Sequence, residues 1–177
     1  MIILVEGKEQ SGKSKYAETV VRAIGKEGLY VATMIPYGEY GEKVIARHHK
    51  LREDLPLYTI ESPYLDDLDG ISFSPIIILE DISNLTANRF FNRKENHSEY
   101  ENIIKDLSKR CENLIVVGMK GMNTDGCDDE TTQYSLQNDS VMEYIESISD
   151  SVIEMVNGAP KAIKGSLPQT KEKNEIN

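Results

Sequence analysis

The chain has 177 residues, 39% of them hydrophobic. That is enough apolar material for one sizeable core, so residues 1–165 read as a single domain and 166–177 as a polar tail. Thirty acidic against 20 basic residues leave a formal net charge of −10, a field that repels nucleic acid and anionic membranes, although a local nest of backbone amides can still hold a small anion.

The opening run Met1-Ile2-Ile3-Leu4-Val5 is short, apolar and β-branched, as a buried parallel strand is. Directly after it comes Gly7-Lys8-Glu9-Gln10-Ser11-Gly12-Lys13-Ser14, which reads G-x-x-x-x-G-K-S, the phosphate-binding loop of nucleoside triphosphate enzymes. Its two glycines let the backbone curl until several N–H groups converge on an anion. Lys13 adds a point charge for the β- and γ-phosphates, and the Ser14 hydroxyl is placed to ligate Mg²⁺. Ala17, Val20, Val21 and Ile24 then recur on one helical face, so strand, loop and helix N-terminus follow in the order an anion site needs.

Gly25 and Gly28 punctuate a turn before a second buried strand, Leu29 to Thr33. Residues 36–41 are turn-forming and lead into a helix over Glu42 to Leu51. A loop with Pro56 and Pro63 follows, with the extended piece Leu57 to Glu61 inside it. Pro75 to Asp81 carries four bulky apolar residues ending in two carboxylates, as a central strand with acids at its C-terminal edge does. Ile82 to Phe91 and Ser98 to Arg110 read as helices, the second with Ser98 and Glu101 as a capping box. Leu114 to Gly118 is strand-like, Gly121 to Asp129 is a loop, and Glu130 to Ile148 is a helix with Val141, Tyr144, Ile145 and Ile148 as its buried stripe. Val152 to Val156 and Ala159 to Ile163, around Asn157-Gly158, predict a terminal hairpin. Alternating strands and helices imply a mostly parallel sheet covered on both faces, a P-loop NTPase-like (RecA-like) α/β fold with its crevice at the strands' carboxyl ends.

No segment reaches the ~18 apolar residues of a membrane span, and no basic leader precedes an apolar run, so a soluble cytoplasmic protein is expected. Cys111 and Cys127 form no CxxC pair and are expected to be reduced and structural. Glu80 or Asp81 would hold, directly or through water, the Mg²⁺ that Ser14 contacts; because side chains alternate along a strand, only one should face the site, and Glu80 is preferred. Two of the three histidines, His48 and His49, are adjacent. A neutral imidazole can attack phosphorus and carry the group as a phosphoramidate, but neighbours on a helix point about 100° apart, so at most one would face a given phosphate. The acidic loop Asp125 to Glu130 lacks the order of a calcium loop and reads as solvated.

Taken together, Gly7 to Ser14, the strand Leu29 to Thr33, Ala46-Arg47-His48-His49-Lys50, Thr59-Ile60-Glu61 and the stretch Ile78 to Asn88 resemble, in order and spacing, the adenosylcobinamide kinase / adenosylcobinamide-phosphate guanylyltransferase family of cobalamin biosynthesis. The ending from Ser149 to Lys164 is similar as well. The resemblance implies two activities: phosphorylation of the aminopropanol hydroxyl of adenosylcobinamide by a nucleoside triphosphate, ATP or GTP, and transfer of GMP from GTP to that phosphate through GMP held on a histidine. The family nucleophile corresponds to His49. Its nucleotide contacts correspond to Gly7 through Ser14, to Thr33, Met34 and Ile35, to the segment starting at Lys50, and to Glu61 and Glu80. The resemblance also implies a corrinoid substrate and a homo-oligomer, with a trimer as the family pattern. Between residues 92 and 148 the chain departs from that pattern: Gly118-Met119-Lys120-Gly121 follows the strand, and Gln133 to Asp139 holds no arginine. A different small-molecule kinase and a nucleotide-binding relative without catalysis stand as alternatives, separated from the first reading by whether GTP labels the protein.

Overall fold

The computed structural model describes residues 1–36, 38–66, 70–95 and 100–168, with the side chains of residues 40, 44, 47, 48 and 51 left out. Its elements run β1 (Ile2–Gly7), α1 (Lys13–Ile24), β2 (Gly28–Ala32), α2 (Gly38–Leu51), β3 (Leu57–Glu61), β4 (Ser74–Glu80), α3 (Ile82–Arg93), α4 (Tyr100–Lys109), β5 (Cys111–Gly118), α5 (Asp129–Ile148), β6 (Ser151–Val156) and β7 (Ala159–Lys164). The strands form one sheet in the order β3-β2-β4-β5-β1-β6-β7. Every pairing is parallel except β6 with β7, which form the expected C-terminal hairpin. Asn157 and Gly158 both have positive φ, 51° and 81°, as a two-residue turn matched to strand twist requires.

Strand alternation divides the core in two. Leu4, Ile77, Leu79, Leu114, Val116 and Val152 face α3, α4 and α5, meeting Leu85, Ile104, Leu107, Val141 and Ile145. Ile3, Val5, Ile76, Ile78, Ile115, Val117 and Ile153 face the other way, against Ala17, Val20 and Val21 of α1. A near-continuous apolar run such as Ile76 to Leu79 is what a strand buried on both faces needs. With the helices covering both faces, the carboxyl ends of β1, β2, β4 and β5 are left to form a crevice.

The extended piece Leu57 to Glu61 is the edge strand β3, paired in parallel with β2. Three expectations are corrected. α2 begins at Gly38, four residues before the expected start, because Gly41 packs its α-carbon face against Pro36 and the glycines do not break the helix there. The linker expected from Asn92 begins later, since α3 runs to Arg93 and ends on Lys94 in the left-handed conformation, φ 56°. Cys111 is buried but Cys127 is exposed, so the second thiol is not structural. The capping role of Ser98 falls outside the described residues. Among the described residues, no helix is long and apolar enough to cross a membrane.

Candidate functional site

The turn after β1 is built by backbone geometry. Gly7 has φ 153° and an added Cβ would lie 2.7 Å from Ser11 Oγ and 2.9 Å from the Met155 carbonyl oxygen, so no larger residue fits. Gly12, at φ 93°, caps α1 without a side-chain hydrogen bond. The first N–H groups of the helix are thus left to an anion, at the positive end of the helix dipole. Lys13 opens α1, and its Nζ donates to the Lys8 carbonyl at 2.8 Å. Burial pulls the Lys13 ammonium below its usual value, opposed by the carboxylates of Asp81, Glu80 and Glu9.

Opposite it stand the two acids at the end of β4. Ser14 Oγ donates to Glu80 Oε1 at 2.5 Å, bridging from α1 to β4 across the intervening sheet positions. Glu80 Oε2 is buried and without a hydrogen-bond partner among the described residues. Burial, reinforced by the adjacent Asp81 carboxylate, pushes the Glu80 carboxyl up to about 8, with the Ser14 hydrogen bond and the Lys13 and Arg52 charges opposing. Burial raises Asp81 too, against hydrogen bonds from the backbone N–H groups of Asn84 and Ser83. An orphaned carboxylate oxygen beside a hydroxyl is a hard-oxygen donor pair of the kind Mg²⁺ takes, so the residues present fit that ion. Among the described residues no cluster of three or more His, Cys, Asp or Glu competes as a metal centre.

A cavity of about 220 Å³ opens between the phosphate loop and α2. Lys13, Ser14, Glu80, Asp81 and Asn84 form its phosphate-side wall, Tyr30, Ala32 and Met34 its floor along β2, and Ile45, His49, Arg52 and Glu61 its far wall. His49 Nε2 lies 3.6 Å from Glu61 Oε1, with about half of the His49 side chain and about two thirds of the Glu61 side chain exposed. One turn further along, Arg52 is only 6% exposed, and its guanidinium stacks 3.6 Å over the Tyr30 ring. Its Nε and Nη1 are buried with no hydrogen-bond partner among the described residues. A planar cation with two nitrogens unpartnered among the described residues, in a cavity beside a phosphate loop, is matched to an oxyanion.

Of the residues named from the sequence, Lys13, Ser14, Met34, His49, Glu61 and Glu80 line this one cavity. Lys50 lies instead on an adjoining open groove, shared with His49 and Glu61. Thr33 is fully buried behind the cavity; its hydroxyl donates to the Asp81 carbonyl at 2.7 Å and its N–H to the Glu80 carbonyl at 2.9 Å. Ile35, Lys8, Glu9, Gln10 and Ser11 do not line the cavity, and the side chain of His48 falls outside the described residues. The alternation argument that only one of Glu80 and Asp81 faces the site is overturned. β4 ends at Glu80, and Asp81 has left the pleat to become the N-cap of α3, accepting the Asn84 N–H at 2.6 Å, so both acids line the cavity. Sequence reasoning also passed over Tyr30, Arg52 and Asn84. The signal for Arg52 was its position three residues after His49 and seven after Ile45, on one helical face.

The family model described as cobinamide kinase / cobinamide phosphate guanyltransferase matches residues 3–163. No curated protein is significantly similar to the chain. Among solved structures, a KaiC-like protein of the hyperthermophilic archaeon Pyrococcus horikoshii OT3 is similar with a TM-score of 0.50 and 12% identity, over 91% of this chain and 75% of that one. An ATPase from the type III secretion system of pathogenic bacteria is similar with a TM-score of 0.50 and 10% identity, over 88% of this chain and 51% of its own. At those identities the likeness concerns the fold, a mostly parallel sheet of the P-loop NTPase type.

Proposed function

The chain belongs to the cobinamide kinase / cobinamide phosphate guanyltransferase family, a family of transferases in cobalamin biosynthesis, and from that premise we propose that both transfers use the cavity beside the phosphate loop, with His49 carrying GMP between them. The observation that carries this reading is a single cavity bounded by Lys13, by the Ser14–Glu80 pair and by His49.

In the nucleotidyl half, a ring nitrogen of His49 attacks the α-phosphorus of GTP. An N–P bond forms, the bond from that phosphorus to the bridging oxygen breaks, and pyrophosphate leaves with the electron pair. Glu61, 3.6 Å from Nε2, is placed to stabilise the positive charge the imidazole takes on as the new bond forms. A phosphate oxygen of adenosylcobinamide phosphate then attacks the same phosphorus and releases the histidine. In the kinase half, the aminopropanol hydroxyl of adenosylcobinamide attacks the γ-phosphorus of ATP or GTP; its oxygen bonds that phosphorus, the bond to the β–γ bridging oxygen breaks, the nucleoside diphosphate leaves with the electron pair, and the hydroxyl proton passes to solvent. In both, the Lys13 ammonium and the Nε and Nη1 groups of Arg52, unpartnered among the described residues, offset charge gathering on phosphate oxygens. Mg²⁺ would be held by Ser14 and Glu80, where it supplies positive charge against the β- and γ-phosphate oxygens. The reading includes a soluble enzyme of the cytoplasm, where nucleoside triphosphates are held.

Incubation with α-labelled GTP and Mg²⁺ should leave an acid-labile, alkali-stable label on the protein, and His49→Ala should abolish it. A wild-type protein that turns over cobinamide phosphate yet never takes up label would remove the histidine carrier, while a phosphorylated product without any GMP transfer would leave only the kinase.

A further inference from the structure

The loops that leave β2 and β3 carry Met34 and Glu61 to the cavity, but the sheet stops holding them early. The last ladder bond between them runs from the Ser62 N–H to the Ala32 carbonyl, 2.8 Å. Beyond it the Thr33 and Pro63 carbonyl oxygens come close enough to share one neighbour. Two acceptors cannot bond each other, so only a group with two protons to give can join them. Asn88 on α3 supplies it: its Nδ2 donates to Thr33 O at 2.7 Å and to Pro63 O at 2.9 Å, and the residue is only 6% exposed. The same Thr33 donates its N–H to Glu80 O and its hydroxyl to Asp81 O. One buried amide therefore links the acids at the end of β4, the segment 33–35 and the end of β3.

We propose that Asn88 is a positioning residue for nucleotide binding, fixing the distance between the Glu61 wall and the Glu80 wall of the cavity by bridging the Thr33 and Pro63 carbonyls. This rests on the nucleotide reading of the cavity. Nothing at Asn88 touches the reacting atoms; it acts through Thr33 and through Ser62, the one residue between Glu61 and Pro63. A buried carbonyl pair without its donor must separate or admit water, and either change widens the cavity.

Asn88→Asp keeps the shape but sets carboxylate oxygens against both carbonyls, and Asn88→Leu removes the donor while excluding a replacement water. The control is Arg93→Ala, because Arg93 pins the far part of the same strap through Asp66, at 2.5 and 2.6 Å, and stacks 3.8 Å over Tyr64 without touching Thr33. The probe is GDP with Mg²⁺, which binds without reacting, followed by titration calorimetry that reports affinity and active fraction separately, alongside thermal melts. Both Asn88 variants should raise the Kd of the active fraction by roughly tenfold or more, whereas Arg93→Ala should lower the melting temperature and leave Kd within about twofold. Should Asn88→Asp not fold, Asn88→Leu carries the decision. An unchanged Kd with a lower melting temperature or a smaller active fraction would overturn the positioning role, while wild-type protein that binds no Mg·GDP would overturn the nucleotide reading as well.

Discussion

Arg52 is the residue whose situation is hardest to explain by folding alone. A buried guanidinium with two nitrogens lacking partners costs stability in the free protein, and the stack on Tyr30 recovers only part of that. Glu18, also buried on α1, shares its electrostatic neighbourhood, and burial raises the Glu18 carboxyl more than Arg52 and Arg22 lower it. The arrangement makes sense when an oxyanion completes the guanidinium. Arg52→Met keeps the stem's packing, so the free protein should be more stable by about 1 kcal/mol in urea denaturation. Its affinity for a nucleoside triphosphate should fall by about tenfold or more, as expected when a charge-assisted contact is removed. A variant much less stable than the parent would show that the guanidinium already has its partner in the fold. His49 contrasts with it. Half exposed, it lies 3.6 Å from Glu61 at the open side of the cavity.

Among the elements, β5 sets how closely helices approach the site. Gly118 ends it, and a Cβ there would lie 2.5 Å from Met142 Sδ on α5 and 2.6 Å from Ile82 Cγ2 on α3. Ile82 follows Asp81, so the space kept open at Gly118 lets the start of α3 sit down on the sheet and brings its capping acid into the cavity. Gly118→Ala should therefore cost about 1–3 kcal/mol by overpacking, read by chemical denaturation, and nucleotide affinity should fall with it because Asp81 shifts. The loop after β5 is tied to the same place: the Met119 N–H donates to Ser83 Oγ at 2.9 Å, Asn138 Nδ2 donates to the Met119 carbonyl at 2.6 Å, and Tyr134 Oη donates to the Ser83 carbonyl at 3.0 Å. Side-chain amides and hydroxyls hold the start of α3 there.

For the molecule as a whole, a net charge of −10 and a nucleotide polyanion are reconciled within the crevice. Glu80 at the end of β4 and Asp81 at the cap of α3 line its wall, and Glu80 is held up to about 8 by burial and by Asp81. A divalent cation held by these residues would offset that charge. Nucleotide should therefore stabilise the fold by RT ln(1 + [L]/Kd), about 2.7 kcal/mol at 100 times Kd, and most of that gain should vanish with a chelator. In Glu80→Gln the melting temperature with nucleotide should no longer depend on Mg²⁺; a chelator effect of wild-type size in that variant would place the ion elsewhere.

The local signals carried by the chain itself were enough for the strand, loop and helix of the phosphate site. Their causes are local: glycine torsions in Gly7 and Gly12, apolar periodicity in Val20 and Val21, and a turn at Asn157-Gly158 that only left-handed residues make. The same holds for bringing Ser14 near Glu80, since the loop and helix start that follow β1 and the end of β4 lie at the one edge to which a parallel sheet brings its carboxyl ends. What needed the folded chain was every relation set by packing across elements. Leu57 to Glu61 became an edge strand because β2 offered it an unpaired side. Asp81 joined the cavity because it left the pleat to cap α3. Arg52 and Asn88 gained their meaning from Tyr30, Thr33 and Pro63, neighbours distant in the chain that no periodicity announces. Short-range torsions and patterning are written residue by residue, whereas the environment of a buried charge or amide is made by whatever the rest of the fold places around it.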